Sequence, residues 1–400
     1  MNNQVVFAAA GNGKTYSICK EAKSIIGKGK GHVLLVSYTN EGVRSLESEY
    51  RKQNQGVLDE KLVIKSWYSF LLSEFIKPYQ CLLGLKYKDY KAENDFPIPE
   101  NYIRSIAFYQ TEEPKRFYNQ THIQYYLNSG RDVVPDRASL LACKCNDHSG
   151  GKSITRLEEI YSHMFIDELQ DYSGWDLEII KLLLGSSIEL KCVGDYKQTT
   201  YRTNNSPKYS QYRGEAIRWF FIDLEKKGLC SVTYSNATRR FSKEICDFIN
   251  TIHADSESLV QPAESVEDEI IENRGVYILD CSYLDWYCKK YKPTVLRYNI
   301  KTRIPFNHEC NVYNYGGAKG ATYERTVIIP VSTTIPFLTS QKFIVAPRTR
   351  SKFYVACTRA KYSIVFGMEK PKENDVFRRV ELNVAGEIIP ALKYCQKYKH

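Results

Sequence analysis

No stretch of the 400 residues is apolar for long enough to span a membrane. The one apolar run near the N-terminus lacks the basic start and the length of a signal peptide, so a cytoplasmic protein is expected. A secreted-type disulfide framework is missing too, although twelve cysteines are present. Cys19, Cys192, Cys230 and Cys246 sit inside apolar patterns and read as reduced core residues. Cys143, Cys145 and His148 offer three zinc-ligand types, but no fourth ligand is evident and the spacing is not that of paired knuckles. An ordinary polar loop is expected there. Acidic residues are outnumbered, leaving a formal charge of +10. That balance suits a polyanion such as nucleic acid, while a basic excess spread over the surface gives the same total.

What is present starts almost at once. A length of 400 residues exceeds what one core usually supports, so two or more domains are expected. The apolar run Val5-Val6-Phe7-Ala8-Ala9 leads into Ala10-Gly11-Asn12-Gly13-Lys14-Thr15, and a helical pattern follows over Ser17-Ile18-Cys19-Lys20-Glu21-Ala22. Strand, glycine-broken loop and helix are the context of a phosphate-binding loop. Its small residues let backbone N–H groups curl around a triphosphate at a helix N-terminus. Lys14 would reach the outer phosphates of ATP and the Thr15 hydroxyl would hold Mg2+.

Apolar runs then alternate with helical patterns, which predicts an α/β fold with parallel sheets. The strand His32-Val33-Leu34-Leu35-Val36-Ser37 exits into Tyr38-Thr39-Asn40, with a helix over 41–50. Tyr38 could stack on a base while Thr39 and Asn40 hold a phosphate. An Asn helix cap beside a buried tyrosine is the other reading. Residues 62–66 form a second strand, leaving through Trp67 and Tyr68 into a helix reaching about 77. Residues 78–155 interrupt the alternation as a mostly helical insertion. The strand 161–166 delivers Asp167 and Glu168 at its end, one placed to share Mg2+ with Thr15 and the other to accept a proton from water. After the strand 188–193, Gln198 can sense a terminal phosphate or water and Tyr201 can face a bound strand. Further on, the patterns predict a helix over 242–252, a polar excursion over 254–274, strand–helix–strand over 275–298, and a strand over 326–329. A helix over 351–361 feeds a strand over 363–366, and the tail from 370 reads as surface strand and helix.

In this order the segments resemble superfamily 1 DNA helicases of the UvrD/Rep type over nearly the whole chain. Residues 8–15 are similar to that family's phosphate loop, with Ala9 at a usual glycine. Ser37-Tyr38-Thr39-Asn40 resembles Thr-Phe-Thr-Asn, and Ser66-Trp67-Tyr68-Ser69-Phe70 stands for Thr-Phe-His-Ser-Phe. Asp167-Glu168-Leu169-Gln170-Asp171 and Tyr354-Val355-Ala356-Cys357-Thr358-Arg359-Ala360 are the most specific matches, joined by Gly194-Asp195-Tyr196-Lys197-Gln198, Thr238-Arg239-Arg240-Phe241 and Ala318-Lys319-Gly320. The resemblance implies two RecA-like lobes with ATP between them and single-stranded DNA across both, moved along 3′ to 5′. It divides the chain into a first lobe at 1–77 and 156–234, a helical insertion at 78–155, a second lobe at 235–369 and a tail at 370–400. Arg240 and Arg359 would neutralise the phosphoryl group, Gly320 would lie by the nucleotide, and Lys319 and Tyr201 would lie on the strand track.

Several departures qualify the resemblance. With only a few residues ahead of the phosphate-loop strand, the glutamine segment that reads adenine is not expected in its usual place. Arg239 replaces a base-stacking tyrosine, Thr322 a ribose-contacting glutamate and Thr203 a stacking tryptophan, so Tyr16 or Arg239 would stack on the base instead. The interval from Arg240 to Lys319 is too short for the family's large accessory insertion, which predicts a compact form. Two alternatives remain beside a DNA helicase. One is an ATP-controlled nucleic-acid switch acting on a partner protein such as a nuclease, and the other is a helicase whose track is RNA.

Overall fold

The computed structural model describes residues 2–87, 96, 97, 103, 118–200, 204–253, 258–263, 271–307, 309–384 and 386–395. The chain divides into two units. The first comprises Met1–Phe7, Lys14–Tyr196 and Tyr201–Thr233; the second comprises Ala8–Gly13, Lys197–Thr200 and Tyr234–His400.

The first unit is built on a sheet of six strands: β1 (Gln4–Ala8), β2 (His32–Ser37), β3 (Leu62–Ser66), β4 (Tyr161–Ile166), β5 (Glu189–Gly194) and β6 (Ser231–Ser235). Their order is β3-β2-β4-β5-β1-β6, and the first five run parallel. Val33, Leu34, Leu35 and Val36 are all fully buried in β2. A continuous apolar run is what a strand covered on both faces needs, because both sets of side chains meet packed helices. On one face, α1 (Lys14–Gly27) contributes Ile18, Cys19, Ala22 and Ile25, and α2 (Asn40–Gln53) contributes Leu46 and Tyr50. Three- and four-residue spacing places such side chains on one helical stripe.

The other face carries the larger core. It begins with α3 (Trp67–Phe70), which runs into a π-helical stretch, Leu71–Ile76, and then a short turn, Lys77–Tyr79. The helix expected up to 77 is therefore widened in its middle. Glu74 of the widened stretch is buried against Lys65 and against Arg156, whose Nη1 lies 2.6 Å away. Next come α4 (Pro135–His148), α5 (Lys152–Ile160), α6 (Trp175–Leu184) and α7 (Ile217–Glu225). Here the sequence expectation fails: Cys143, Cys145 and His148 lie in α4, not in a loop, and both cysteines face the core. Pro135 at the start of the helix and the buried row Ala138, Leu141, Ala142 and Cys145 explain it, because helical periodicity outweighs the polar look of the segment. Among the described residues no group of three or more His, Cys, Asp and Glu side chains could hold a metal ion.

The second unit contains α8 (Lys243–His253), β7 (Gly275–Asp280), α9 (Leu284–Tyr291), β8 (Thr294–Arg297), β9 (Val312–Asn314), β10 (Tyr323–Ile328), α10 (Ile335–Ser340), α11 (Pro347–Cys357), β11 (Ala360–Met368), β12 (Phe377–Val384) and β13 (Glu387–Tyr394). The sheet order is β9-β8-β10-β11-β7-β13-β12. The first five strands are parallel, and β13 and β12 join antiparallel. One face packs Ile245, Phe248, Ile249, Phe353 and Phe366; the other packs Tyr277, Leu279, Tyr287, Val295 and Val327. Two expectations change. The helix over 351–361 stops at Cys357, so Arg359 sits in the turn before β11. The tail forms a hairpin, not strand and helix, because its two strands bury side chains on both faces: Phe377, Leu392 and Tyr394 join one core cluster, and Leu382, Val384, Ile389 and Ala391 join the other. Residues 396–400 lie outside the described residues, as do 254–257 and 264–270 of the polar excursion. Among the described residues no helix is long and apolar enough to cross a membrane.

Candidate functional site

In the first unit the strand ends converge on a carboxylate and a hydroxyl. Lys14 opens α1, and the Thr15 hydroxyl donates to Asp167 Oδ2 at 3.2 Å. Asp167 follows β4 directly, and its N–H donates to the Val36 carbonyl of β2 at 2.9 Å. Glu168 then adopts a left-handed conformation, φ 56°, and its own N–H donates to Asp167 Oδ1 at 2.8 Å. A side chain other than glycine held there is strained, and such strain persists where the surroundings over-determine it. Gln170 is one of those surroundings. Its amide nitrogen donates to the Glu168 carboxylate, and its oxygen accepts from the Asp195 N–H at 2.9 Å. A Cβ on Gly194 would stand 2.6 Å from that oxygen, so only glycine lets β5 end this close. Burial raises the pKa of Asp167, and the neighbouring Glu168 charge raises it further. Lys14 acts in the opposite direction.

These residues fit the groups the sequence implies. Mg2+ takes oxygen donors at about 2.0–2.1 Å, so adjacent ligands of one ion stand roughly 2.9 Å apart. Thr15 and Asp167 already bring two such oxygens to 3.2 Å. No acidic residue stands in the first turn of the 14-residue α1, which leaves its positive end suited to a phosphate. When bound, Mg2+ would supply charge neutralisation for a triphosphate.

The remaining nucleotide candidates group with the second unit. Gly11 and Gly13 have φ of 74° and 87°. A Cβ on Gly11 would lie 2.5 Å from the Arg240 Cβ, a close approach that accounts for the glycine. Thr238 donates to the Ala10 carbonyl at 2.8 Å, the Arg239 N–H donates to the Gly11 carbonyl at 3.0 Å, and Asn12 donates to the Ala237 carbonyl at 2.7 Å. Arg240 Nη1 donates to the Thr358 carbonyl at 2.7 Å. Arg359 is 1% exposed, donates to Val355 and Ala321 carbonyls, and reaches Gln198 Oε1 at 3.2 Å. Lys319 is half-buried, Gly320 is exposed with φ 85°, and the side chain of Arg239 is exposed. Tyr16, in the first unit, is 44% exposed with Lys20 over its ring.

The first unit gathers its five strand-binding candidates around one cavity of about 230 Å3. Tyr38, Thr39, Asn40, Trp67 and Tyr68 line it with Leu71, Pro135, Ala138 and Asp176. Thr39, not Asn40, caps α2, accepting from the Gly42 N–H at 3.0 Å. Tyr38 is half-buried and packs edge-on against Tyr172. Trp67 is only 2% exposed, and its indole N–H donates to Asp176 at 2.7 Å, so it is part of the wall. The Tyr68 hydroxyl donates to the Val133 carbonyl at 2.5 Å. Asp176 had no local signal in the sequence. It sits in the first turn of α6 and is paired by Trp67, 109 residues away in sequence. Lys319 lies in the second unit. Tyr201 lies outside the described residues.

An α/β fold with parallel sheets, consistent with a RecA-like P-loop domain, is the class that sheet order and strand-end chemistry define. Comparison with known proteins narrows this for part of the chain. Residues 85–208 match the family model described as the UvrD/REP helicase N-terminal domain. A "Probable DNA helicase II homolog" of Mycoplasma genitalium (strain ATCC 33530 / DSM 19775 / NCTC 10195 / G37) is 24% identical over 238 residues. That match covers 50% of this chain and 34% of that protein, so the chain spans about a third of the curated relative's length. Among solved structures, the "Complex structure of Arterivirus nonstructural protein 10 (helicase) with DNA" superposes with a TM-score of 0.44 at 15% identity, over 93% of this chain and 61% of that one. The chain thus carries UvrD/Rep-like helicase sequence and has a distant DNA-helicase relative.

Proposed function

We propose that this chain is an Mg2+-dependent ATPase that translocates on single-stranded DNA, with two RecA-like lobes as its motor and a compact second lobe. The contact between the Thr15 hydroxyl and Asp167, with Glu168 on the next residue, carries the reading. Phosphoryl transfer to water needs the triphosphate neutralised and the water deprotonated, and those groups supply an oxygen pair and a base side by side. Lys14 is assigned to the outer phosphates. Gln198, Arg240 and Arg359 are assigned to the transferring phosphoryl group, and Ala10, Gly11, Asn12, Gly13, Tyr16, Arg239 and Gly320 to the rest of the nucleotide. Bases would rest on Tyr38 at the cavity it shares with Thr39, Asn40 and Tyr68, an assignment supported by their common location. Lys319 and Tyr201 are assigned to the same strand.

Phosphate release measured with Mg2+ and ATP, with and without single strands, tests the proposal. Turnover should rise with single-stranded DNA and vanish in Lys14→Ala, which loses nucleotide binding. No stimulation by any single strand would remove the translocase. Greater stimulation by the matched RNA strand would change the track to RNA. Streptavidin displacement from each strand end checks the 3′-to-5′ direction.

A further inference from the structure

A second cavity, of about 500 Å3, belongs wholly to the second unit and to none of the chemistry above. It is lined by Cys288, Cys310, Lys289, Lys292, Asp285, Glu309 and Asn307. Cys288 sits in the last turns of α9, 4% exposed, with Leu284, Tyr287 and Val295 in the same core cluster. Cys310 precedes β9 and packs half-buried against that cluster. Both backbones are anchored nearby: the Cys288 carbonyl accepts from the Lys292 N–H at 2.9 Å, and the Asn311 carbonyl accepts from the Val295 N–H at 2.9 Å. The two thiols line the same cavity and share one core cluster, and burial followed by the charge of Cys310 pushes the Cys288 thiol up. Cys288 is the buried thiol of the two and Cys310 the half-buried one. Two ammonium groups and two carboxylates surround them.

We propose that this cavity is a thiol–disulfide exchange site that takes a small zwitterionic peptide disulfide of the glutathione class and ends as a Cys288–Cys310 disulfide. Lys289 and Lys292 face the ligand's carboxylates, and Asp285 and Glu309 face its ammonium groups. Cys310 gives up its proton to solvent and its sulfur attacks one sulfur of the ligand. The ligand's S–S bond breaks, a mixed disulfide forms on Cys310, and the first ligand thiolate leaves and takes up a proton. Cys288 then loses its proton and attacks the Cys310 sulfur, expelling the second ligand thiolate, which is protonated in turn. Two protein thiols have been oxidised by two electrons and one ligand disulfide reduced to two thiols. The product would tie α9 to the segment leading into β9, the edge strand of its sheet. This proposal is independent of the ATPase reading.

The test uses the full chain carrying Cys81→Ser and Cys395→Ser, which removes the exposed thiols. After exposure to oxidised glutathione and alkylation, peptide mass spectrometry should find residues 288 and 310 cross-linked, with the link lost on adding dithiothreitol. Cys288→Ser should trap one glutathionyl group on Cys310, whereas Cys310→Ser should leave Cys288 reduced. Lys289→Ala with Lys292→Ala should slow the reaction severalfold with oxidised glutathione and leave the rate with uncharged hydroxyethyl disulfide unchanged. Free alkylation of both thiols after exposure, a glutathionyl group on Cys288 in Cys310→Ser, or a Cys281–Cys288 link would each overturn the exchange site. An equal effect of the lysine changes on both disulfides would overturn the ligand class.

Discussion

Two buried carboxylates of the first unit have been given opposite surroundings. Glu74 is met by Lys65 and Arg156 and accepts from the Ser73 hydroxyl at 3.0 Å. Burial alone would raise its pKa, but those hydrogen bonds and the Lys65 charge win, and the group lies below its usual range. Asp167 is buried as well, yet the charge that acts on it most strongly is another carboxylate, and its pKa is raised. The difference teaches where the chain tolerates cost: beside Glu168, the strained residue assigned to the chemistry, and not at the helix junction.

The largest expected break in the comparison is chemical. Glu168→Gln keeps the side-chain shape and the hydrogen-bonding reach toward Gln170 but removes the proton acceptor. Single-turnover phosphate release should fall by roughly 10²–10⁴-fold, the range of one positioned acid–base group. ATP binding and Tm should stay near wild type. Wild-type turnover in this variant would take the base assignment away from Glu168.

Next comes the paired acid. Glu74→Ala should cost about 2 kcal/mol of stability, below the figure for a fully buried pair because both cations stay partly hydrated. Turnover per folded molecule should not change. The pH dependence carries the sign. A carboxylate whose folded pKa lies below its unfolded value stabilises above the unfolded value and loses that contribution as pH falls through the folded one. Urea midpoints taken from pH 7 downward should therefore drop less steeply for Glu74→Gln than for wild type. Parallel slopes would mean that Glu74 is not a paired anion.

Asp167→Asn reverses the direction. With the folded pKa raised, the ionised group destabilises at pH values above it, and the penalty disappears below the unfolded value. In metal-free buffer at pH 8 the variant should melt higher than wild type, by about 1 kcal/mol in stability, while Mg2+-dependent hydrolysis is lost. A lower Tm would show that the Thr15 and Glu168 N–H contacts outweigh the burial cost.

What could be read from the sequence follows the same division. β2 and α8 were visible because each writes its environment into a local period: continuous apolar for a doubly covered strand, three-and-four spacing for a helix. Asp167 and Glu168 were visible because they follow directly on a buried strand. The helical state of Cys143 and Cys145 was masked by residue types associated with metal loops, although Pro135 and the spacing of Ala138, Leu141, Ala142 and Cys145 carry it. Arg359 follows a helix that ends two residues earlier, at Cys357, where the apolar period runs on without a stop signal. Asp176 was out of reach: its partner Trp67 is set by tertiary packing. Local signals report strands, caps and turns, whereas pairing between distant polar groups leaves no periodic trace.

The smallest prediction tests whether the cavity wall belongs with Glu74 or with Asp167. The Tyr68 hydroxyl, like Glu74, has its partner: it donates to the Val133 carbonyl. Burial raises its pKa, with the Asp132 charge adding to it, so the hydroxyl stays a donor at any working pH. Tyr68→Phe keeps the ring at the cavity and removes only that bond. Stability should fall by about 0.5–1.5 kcal/mol, the net worth of one such hydrogen bond. Strand affinity should be unchanged, because stacking uses the ring face and not the hydroxyl. Tyr38→Ala is the contrasting variant, since it removes a half-buried ring and should weaken strand binding by about 1–3 kcal/mol. Melting curves and fluorescence anisotropy with a labelled single strand, on both proteins, separate the two. If Tyr68→Phe loses strand affinity while keeping its Tm, the hydroxyl contacts the nucleic acid and its bond to Val133 is given up on binding.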